Sequence, residues 1–149
     1  MKRRLGVLRD LDYIREGKLT AKGKFASRVN GYELSFTEML FRGVFDHLSE
    51  EQICVAVCAV LFESKRSAFY RTLPNAILGK AKRSVWSALN PILEREAQLQ
   101  VRDRTKGPDF RLGAAIHSWS RGVKFEALER DTSATDGDIV RTVRQTVQF

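Results

Sequence analysis

The stretch LDYIREGKLTAKGKFASRV, residues 11–29, decides how the rest of the chain is read. Tyr13-Ile14 and Lys18-Leu19 flank Glu16-Gly17, and glycine supplies the positive φ that a tight hairpin turn needs. Thr20 has the chemistry of an N-cap and opens a basic helix predicted to run to Val29, where Asn30-Gly31 stops it. Residues 3–10, with Leu5 and Leu8 on one side, read as the end of a helix before the hairpin. A small hairpin joined directly to a positively charged helix is thus the first structural unit.

Everything downstream is predicted to be helical. A helix is expected over Ser35–Arg42, ended by Gly43. Ser49-Glu50-Glu51-Gln52 is a capping box, with acids where the helix dipole favours them. The helix it opens, Glu50–Phe62, is apolar nearly all round, which places it at the centre of a bundle. From Leu73 to Gln98 apolar residues recur at the helical period, with Pro91 expected to kink or divide the helix. Residues 102–109 read as a loop, followed by helices over Phe110–Trp119 and near Phe125–Arg130. A polar turn at Thr132–Asp136 leads to a last helix, Gly137–Phe149. That helix reaches Phe149 without a C-cap, which suggests that the domain continues. The fold class is mainly α, a helical bundle with a small N-terminal β-hairpin.

Charge is distributed in blocks. The net charge is +8, which favours an anionic partner. Residues 1–30 carry nine Lys/Arg against three acids and residues 64–111 eleven against four, whereas residues 31–63 carry one Arg against six acids. Two basic blocks around an acidic one suggest one surface for an anion and another for a basic neighbour; simple solvation of exposed helices is the other reading. The longest apolar run, Ile53 to Phe62, is half of what a membrane span requires, so no membrane association is expected. The basic start lacks a signal-peptide apolar region, which points to an intracellular protein. Cys54 and Cys58, four apart in that run, read as buried thiols, because a bridge at that spacing within one helix is sterically awkward.

Catalytic patterns are absent. Leu78-Gly79-Lys80 lacks the leading glycine and the Ser/Thr of a phosphate loop, so nucleotide hydrolysis by that route is not expected. Two cysteines with His47 and His117 match no zinc spacing. His117 reads as a partly buried helix residue, with no nucleophile and orienting acid at triad spacing. Binding chemistry is better represented. Lys80, Lys82 and Arg83 form a basic cluster on the long helix. The adjacent Trp86 is read as a core residue, with a stacking platform for a single strand as the alternative. On the last helix Arg141, Arg144, Gln145 and Gln148 form one stripe, with Ile139, Val140, Val143 and Val147 covering most of the opposite side. Arg and Gln in a stripe can contact phosphates and base edges without demanding one sequence; an ordinary exposed face is the other reading.

One set of short motifs runs in a particular order: Tyr13-Ile14, Gly17, Leu19-Thr20, Lys22-Gly23, Glu33-Leu34, Thr37-Glu38, Phe41, Gly43-Val44-Phe45, Leu48-Ser49 and Gln52-Ile53. Phe62-Glu63, Trp119, Gly122, Phe125, Gly137 and Ile139-Val140-Arg141 continue it. In that order and spacing the chain resembles the DSHCT region, the C-terminal part of superkiller-type DExH-box RNA helicases that feed RNA to the exosome. The resemblance implies that residues 1–30 are the last helix and wing of a winged-helix domain and that residues 31–149 are a helical bundle. It implies packing against the RecA-like motor domains of the same helicase and a role in closing an RNA channel, with weak binding of single-stranded RNA by this chain alone. It places Gly137–Phe149 at the start of the helix that faces RNA and puts Arg141 on a family arginine. Where family members commonly carry Arg and Glu, this chain has Gln145 and Gln148. ATP and magnesium would belong to the motor domains, so no cofactor and no catalysis are expected of this chain. The implied location is cytoplasmic, or nuclear in a eukaryote. A protein-interaction module that docks a basic partner through the acidic segment is the alternative function.

Overall fold

The computed structural model describes Lys2–Gln148 and is mainly helical, with one two-stranded antiparallel sheet among the described residues. The elements in order are α1 (Lys2–Asp10), β1 (Ile14–Arg15), β2 (Lys18–Leu19), α2 (Ala21–Ala26) and α3 (Glu33–Phe41). A 3-10 turn at Val44–His47 precedes α4 (Glu50–Leu61) and α5 (Asn75–Gln98). Then come α6 (Gly113–Ser120), a 3-10 turn at Phe125–Arg130, and α7 (Asp136–Gln148). The end of the last helix at Phe149, and its missing cap, lie outside the described residues. The chain forms two compact units, one of Met1–Phe45 with Trp86–Gly107, the other of Asp46–Val85 with Pro108–Phe149. Helix α5 contributes to both.

In the first unit the hairpin forms as expected. Ile14 pairs with Leu19 and Arg15 with Lys18, around Glu16 at φ 51° and Gly17 at φ 75°. Thr20 caps α2 by accepting from the Gly23 amide at 3.1 Å, but α2 ends at Ala26, one turn short of the predicted Val29. Gly23 is required by contact rather than by φ: a Cβ there would lie 2.1 Å from the Tyr13 carbonyl oxygen, so α2 presses its backbone onto the hairpin. In α1 the fully buried side chain is Val7, with Leu5 and Leu8 only half-buried beside it.

The unit is tied internally by Glu38, fully buried on α3. Its carboxylate accepts from Tyr13 Oη at 2.9 Å and Arg42 Nε at 2.7 Å, and it pairs with the Lys22 ammonium. Lys22 also lies 4.6 Å from the centre of the Tyr13 ring and donates to the Leu11 carbonyl. Burial first, then the Glu38 charge, holds the Tyr13 hydroxyl protonated far above the ordinary phenol range. A second buried carboxylate, Glu96, accepts from the amide and hydroxyl of Thr105 and so pins the loop that follows α5.

The second unit is built on α4. Ser49 and Gln52 make the reciprocal capping box, and Val55 through Leu61 are all buried. Helices α6 and α7 pack on α4, and the core joins Val55, Cys58, Phe62, Leu78, Ile116 and Ile139. Both cysteines are free, Cys58 buried and Cys54 half-buried. Helix α6 starts at Gly113 rather than Phe110, because Asp109 organises the residues before it. Its carboxylate accepts from the Ser64 and Arg111 amides, each at 3.0 Å, and its amide donates to the Ala59 carbonyl.

Pro91 neither divides α5 nor ends it. The carbonyl that loses its donor belongs to Ser87, which is exposed. Among the described residues no helix is long and apolar enough to cross a membrane.

Candidate nucleic-acid interface

Helix α7 is opened by Thr135. Its hydroxyl accepts from the Asp138 amide at 3.3 Å and donates to Asp138 Oδ2 at 2.8 Å. Three residues then decide which way the helix faces. Ile139, Thr142 and Thr146 are buried, and the two threonine hydroxyls donate to the carbonyls four residues earlier, Asp138 and Thr142, at 2.8 Å each. A buried hydroxyl satisfied by its own helix can occupy a core-facing position without an external partner. The predicted division of the helix is therefore corrected. Ile139 and half-buried Val143 face inward, while Val140 and Val147 are 44% and 69% exposed, displaced from the interior by the threonines.

The four residues of the predicted stripe do come together. Arg141, Arg144 and Gln148 are exposed and Gln145 is half-buried; with Gly137 and Val140 they line a groove of about 360 Å³. Arg141 does not stand free at its mouth. Its guanidinium lies 3.5 Å from Asp138 Oδ1, and Asp138 Oδ2 accepts from Lys65 at 2.5 Å. The Lys65 hydrogen bond first, then that of Thr135, holds the Asp138 carboxyl below its usual range, so it stays ionised at neutral pH. Lys65 is thus a further cation beside the stripe. Its partner is 73 residues away in sequence, beyond any helical period, and the only available signal was its place in the second basic block.

The predicted cluster on α5 is not one site. The Lys80 ammonium is engaged by the His47 carbonyl oxygen. Arg83 is exposed, with a guanidinium nitrogen 3.2 Å from where a Cβ on Gly79 would sit. Lys82 lines a separate cavity with Arg71 and Arg111. None of the three lines the groove on α7. Trp86 is 40% exposed rather than buried in the core, and its ring lies against the backbone of Gly107, where a Cβ would be 3.4 Å away.

Gly79 lies inside α5 rather than in a loop, and Lys80 is committed to a carbonyl, so these residues do not fit a triphosphate. Among the described residues no cluster of three or more His, Cys, Asp or Glu is placed to hold a metal ion.

A profile of the DSHCT (NUC185) domain matches residues 16–149. Several curated proteins align with nearly the whole chain. The antiviral helicase SKI2 of Saccharomyces cerevisiae is 23% identical over 154 residues, covering 95% of this chain and 12% of that protein. The exosome RNA helicase MTR4 of Homo sapiens is 27% identical over 147 residues, covering 96% and 14%. The DExH-box ATP-dependent RNA helicase DExH10 of Arabidopsis thaliana is 28% identical over 158 residues, covering 100% and 16%. The chain spans less than a fifth of the length of each of these relatives.

Proposed function

The chain belongs to the DSHCT domain family, and from that premise we propose that it is a non-catalytic, RNA-guiding accessory domain of an ATP-dependent RNA helicase. The observation that carries this reading is the Arg/Gln stripe on α7, presented outward and lining one groove while Ile139, Thr142 and Thr146 hold the helix to its core. Two guanidinium groups suit phosphate oxygens, and two amides suit base edges or sugar hydroxyls. The names of the relatives supply the polymer, RNA. In this reading residues 1–30 are the end of a winged-helix domain and residues 31–149 the bundle. The RecA-like motor domains of the same helicase form the other wall of the channel and bind ATP and magnesium. The protein works in the cytoplasm, or in the nucleus of a eukaryote.

A docking module for a basic protein is less well supported. Glu38, in the middle of the acidic segment, is consumed inside the first unit by Tyr13, Lys22 and Arg42. The feature that favours a protein partner is apolar instead. Phe25 and Phe41 meet edge to face at 5.7 Å, both exposed, with exposed Leu40 adjacent to Phe41 in α3. A motor domain packed there is compatible with the helicase reading.

Fluorescence anisotropy with a labelled single-stranded oligouridylate tests the assignment. Arg141→Ala and Arg144→Ala are each expected to weaken binding by about tenfold, the worth of one charged hydrogen bond. Lys124→Ala, which removes the same charge from an exposed position outside the groove, should change it by less than about twofold. Equal losses in all three variants, or none in any, would remove α7 from the RNA path.

A further inference from the structure

Away from the groove on α7, the second unit contains a small pocket of about 130 Å³ whose walls carry three cations from separate parts of the chain. Arg71 comes from the segment before α5, Lys82 from α5, and Arg111 from the turn before α6, with Tyr70 and Phe110 as the aromatic walls. No carboxylate is among the described residues lining it.

Two of the cations are fixed from behind. Arg71 donates through Nε to Asp131 Oδ1 at 2.6 Å, and Asp131 is itself buried; the Arg71 amide donates to the Asp131 carbonyl at 2.8 Å. Arg111 donates to both oxygens of Asp109 at 3.1 Å. Lys82 is different. It is half-buried in a wall shared with two arginines, and among the described residues no anion pairs with it. The pocket therefore sets three positive charges against two negative ones behind its wall, a balance that suits one further anion inside it.

Its size narrows the ligand. Sites for whole small molecules run to roughly 300–1,000 Å³, so about 130 Å³ admits a compact group rather than a nucleoside. The geometry points to a binding site for a single phosphate group, with Lys82 as the residue that supplies the unmatched charge and Arg71 and Arg111 as prepositioned donors. Charge-assisted contacts of guanidinium and ammonium groups to phosphate are the strong members of their class. The phosphate can be free, the terminal group of an RNA, or one unit of its backbone.

Titration of the 149-residue chain with inorganic phosphate, followed by amide resonances, tests the site. Saturable shifts are expected at Tyr70–Leu73, Lys82 and Arg111. Lys82→Gln should weaken phosphate binding about tenfold, while Lys124→Gln stays within about twofold. Since Lys82 makes no ion pair among the described residues, its variant should keep the wild-type spectrum elsewhere. Arg141→Ala should leave the phosphate shifts unchanged, which separates this site from the RNA assignment of α7. Two competitors resolve the source. Displacement of phosphate by a 5′-phosphorylated oligoribonucleotide alone identifies a terminal group, displacement by its 5′-hydroxyl counterpart as well identifies the backbone, and displacement by neither identifies free phosphate. Absence of saturable shifts, or equal losses in Lys82→Gln and Lys124→Gln, overturns the proposal.

Discussion

At the scale of single residues, the first unit depends on one carboxylate. Glu38 is fully buried and faces two cations and a phenol, so its removal leaves the Lys22 ammonium, itself only 15% exposed, without an anion. Breaking a buried pair costs about 3–5 kcal/mol, more than a surface pair by several-fold. Glu38→Gln should lower stability in urea by about 3 kcal/mol, and Lys22→Met in the same background should restore part of it, because the unpaired charge is then gone. A loss under about 1 kcal/mol in the single variant would show that water reaches the site. Asp109 supplies a pH-dependent counterpart in the second unit. Burial, the largest influence, pushes its carboxyl upward, but the combined hydrogen bonds of Ser64 and Arg111 prevail and hold it below the usual range. A depressed folded-state value adds stability above the unfolded value, about 3.9, and loses it as pH falls through the lower folded value. The stability gap between the wild type and Asp109→Asn should therefore be constant from neutral pH to about pH 4 and close below it, as read by denaturant titrations. A gap that does not shrink at all as pH falls below about 4 would contradict this. Neither carboxylate was marked by the sequence as internal. Glu38 reads as one acid of a block: Arg42 stands four residues on, but Tyr13 and Lys22 lie in other elements and no local pattern links them to it.

At the scale of elements, legibility follows the range of the interactions. The hairpin at Glu16-Gly17, the cap at Thr20 and the box at Ser49–Gln52 are each decided within a few residues, and each forms as read. The start of α6 is set by a distant contact and falls later than read, because Asp109 reaches back to Ser64; the end of α5 at Gln98 falls as read, with Pro91 inside an undivided helix. The face of α7 was half legible. Arg141, Arg144, Gln145 and Gln148 share a groove, but a hydrophobicity pattern assigns valines to the interior and has no means of placing Thr142 and Thr146 there. The hydroxyls become core-compatible only through bonds to their own backbone. The α4 box allows a graded test. Ser49→Ala removes the side-chain acceptor for the Gln52 amide, a loss of about 1 kcal/mol. Gln52→Ala removes its bond from the Ser49 amide and also the donation of Nε2 to the Ile77 carbonyl at 2.8 Å, near the start of α5. With two bonds lost, each worth about 1 kcal/mol, Gln52→Ala should be the more destabilising of the two. Equal thermal shifts would mean that the tie to Ile77 contributes nothing.

At the scale of the molecule, the net charge of +8 and the local stripe on α7 make separable contributions to any RNA affinity. General attraction responds to the total charge and is screened alike wherever a cation is removed. A positioned contact also releases a condensed counterion, which lowers the slope of log affinity against log salt by about 0.7 per phosphate on a single strand. The Arg141 guanidinium lies 3.5 Å from Asp138 Oδ1, and that carboxylate would repel a phosphate brought to the same group. Two consequences can be measured with the same oligouridylate. Arg141→Ala should make the salt slope shallower, less negative by about 0.7, whereas Lys124→Ala should leave it unchanged within error. Asp138→Asn removes the competing anion and should raise affinity at low salt. It should also free Lys65, its other ion-pair partner, and so steepen the salt dependence. If Asp138→Asn instead weakens binding while the fold is retained, the carboxylate is there to aim Arg141 rather than to restrain it. If the slope is the same for Arg141→Ala as for the wild type, the groove on α7 makes no phosphate contact, and the attraction belongs to the basic chain as a whole.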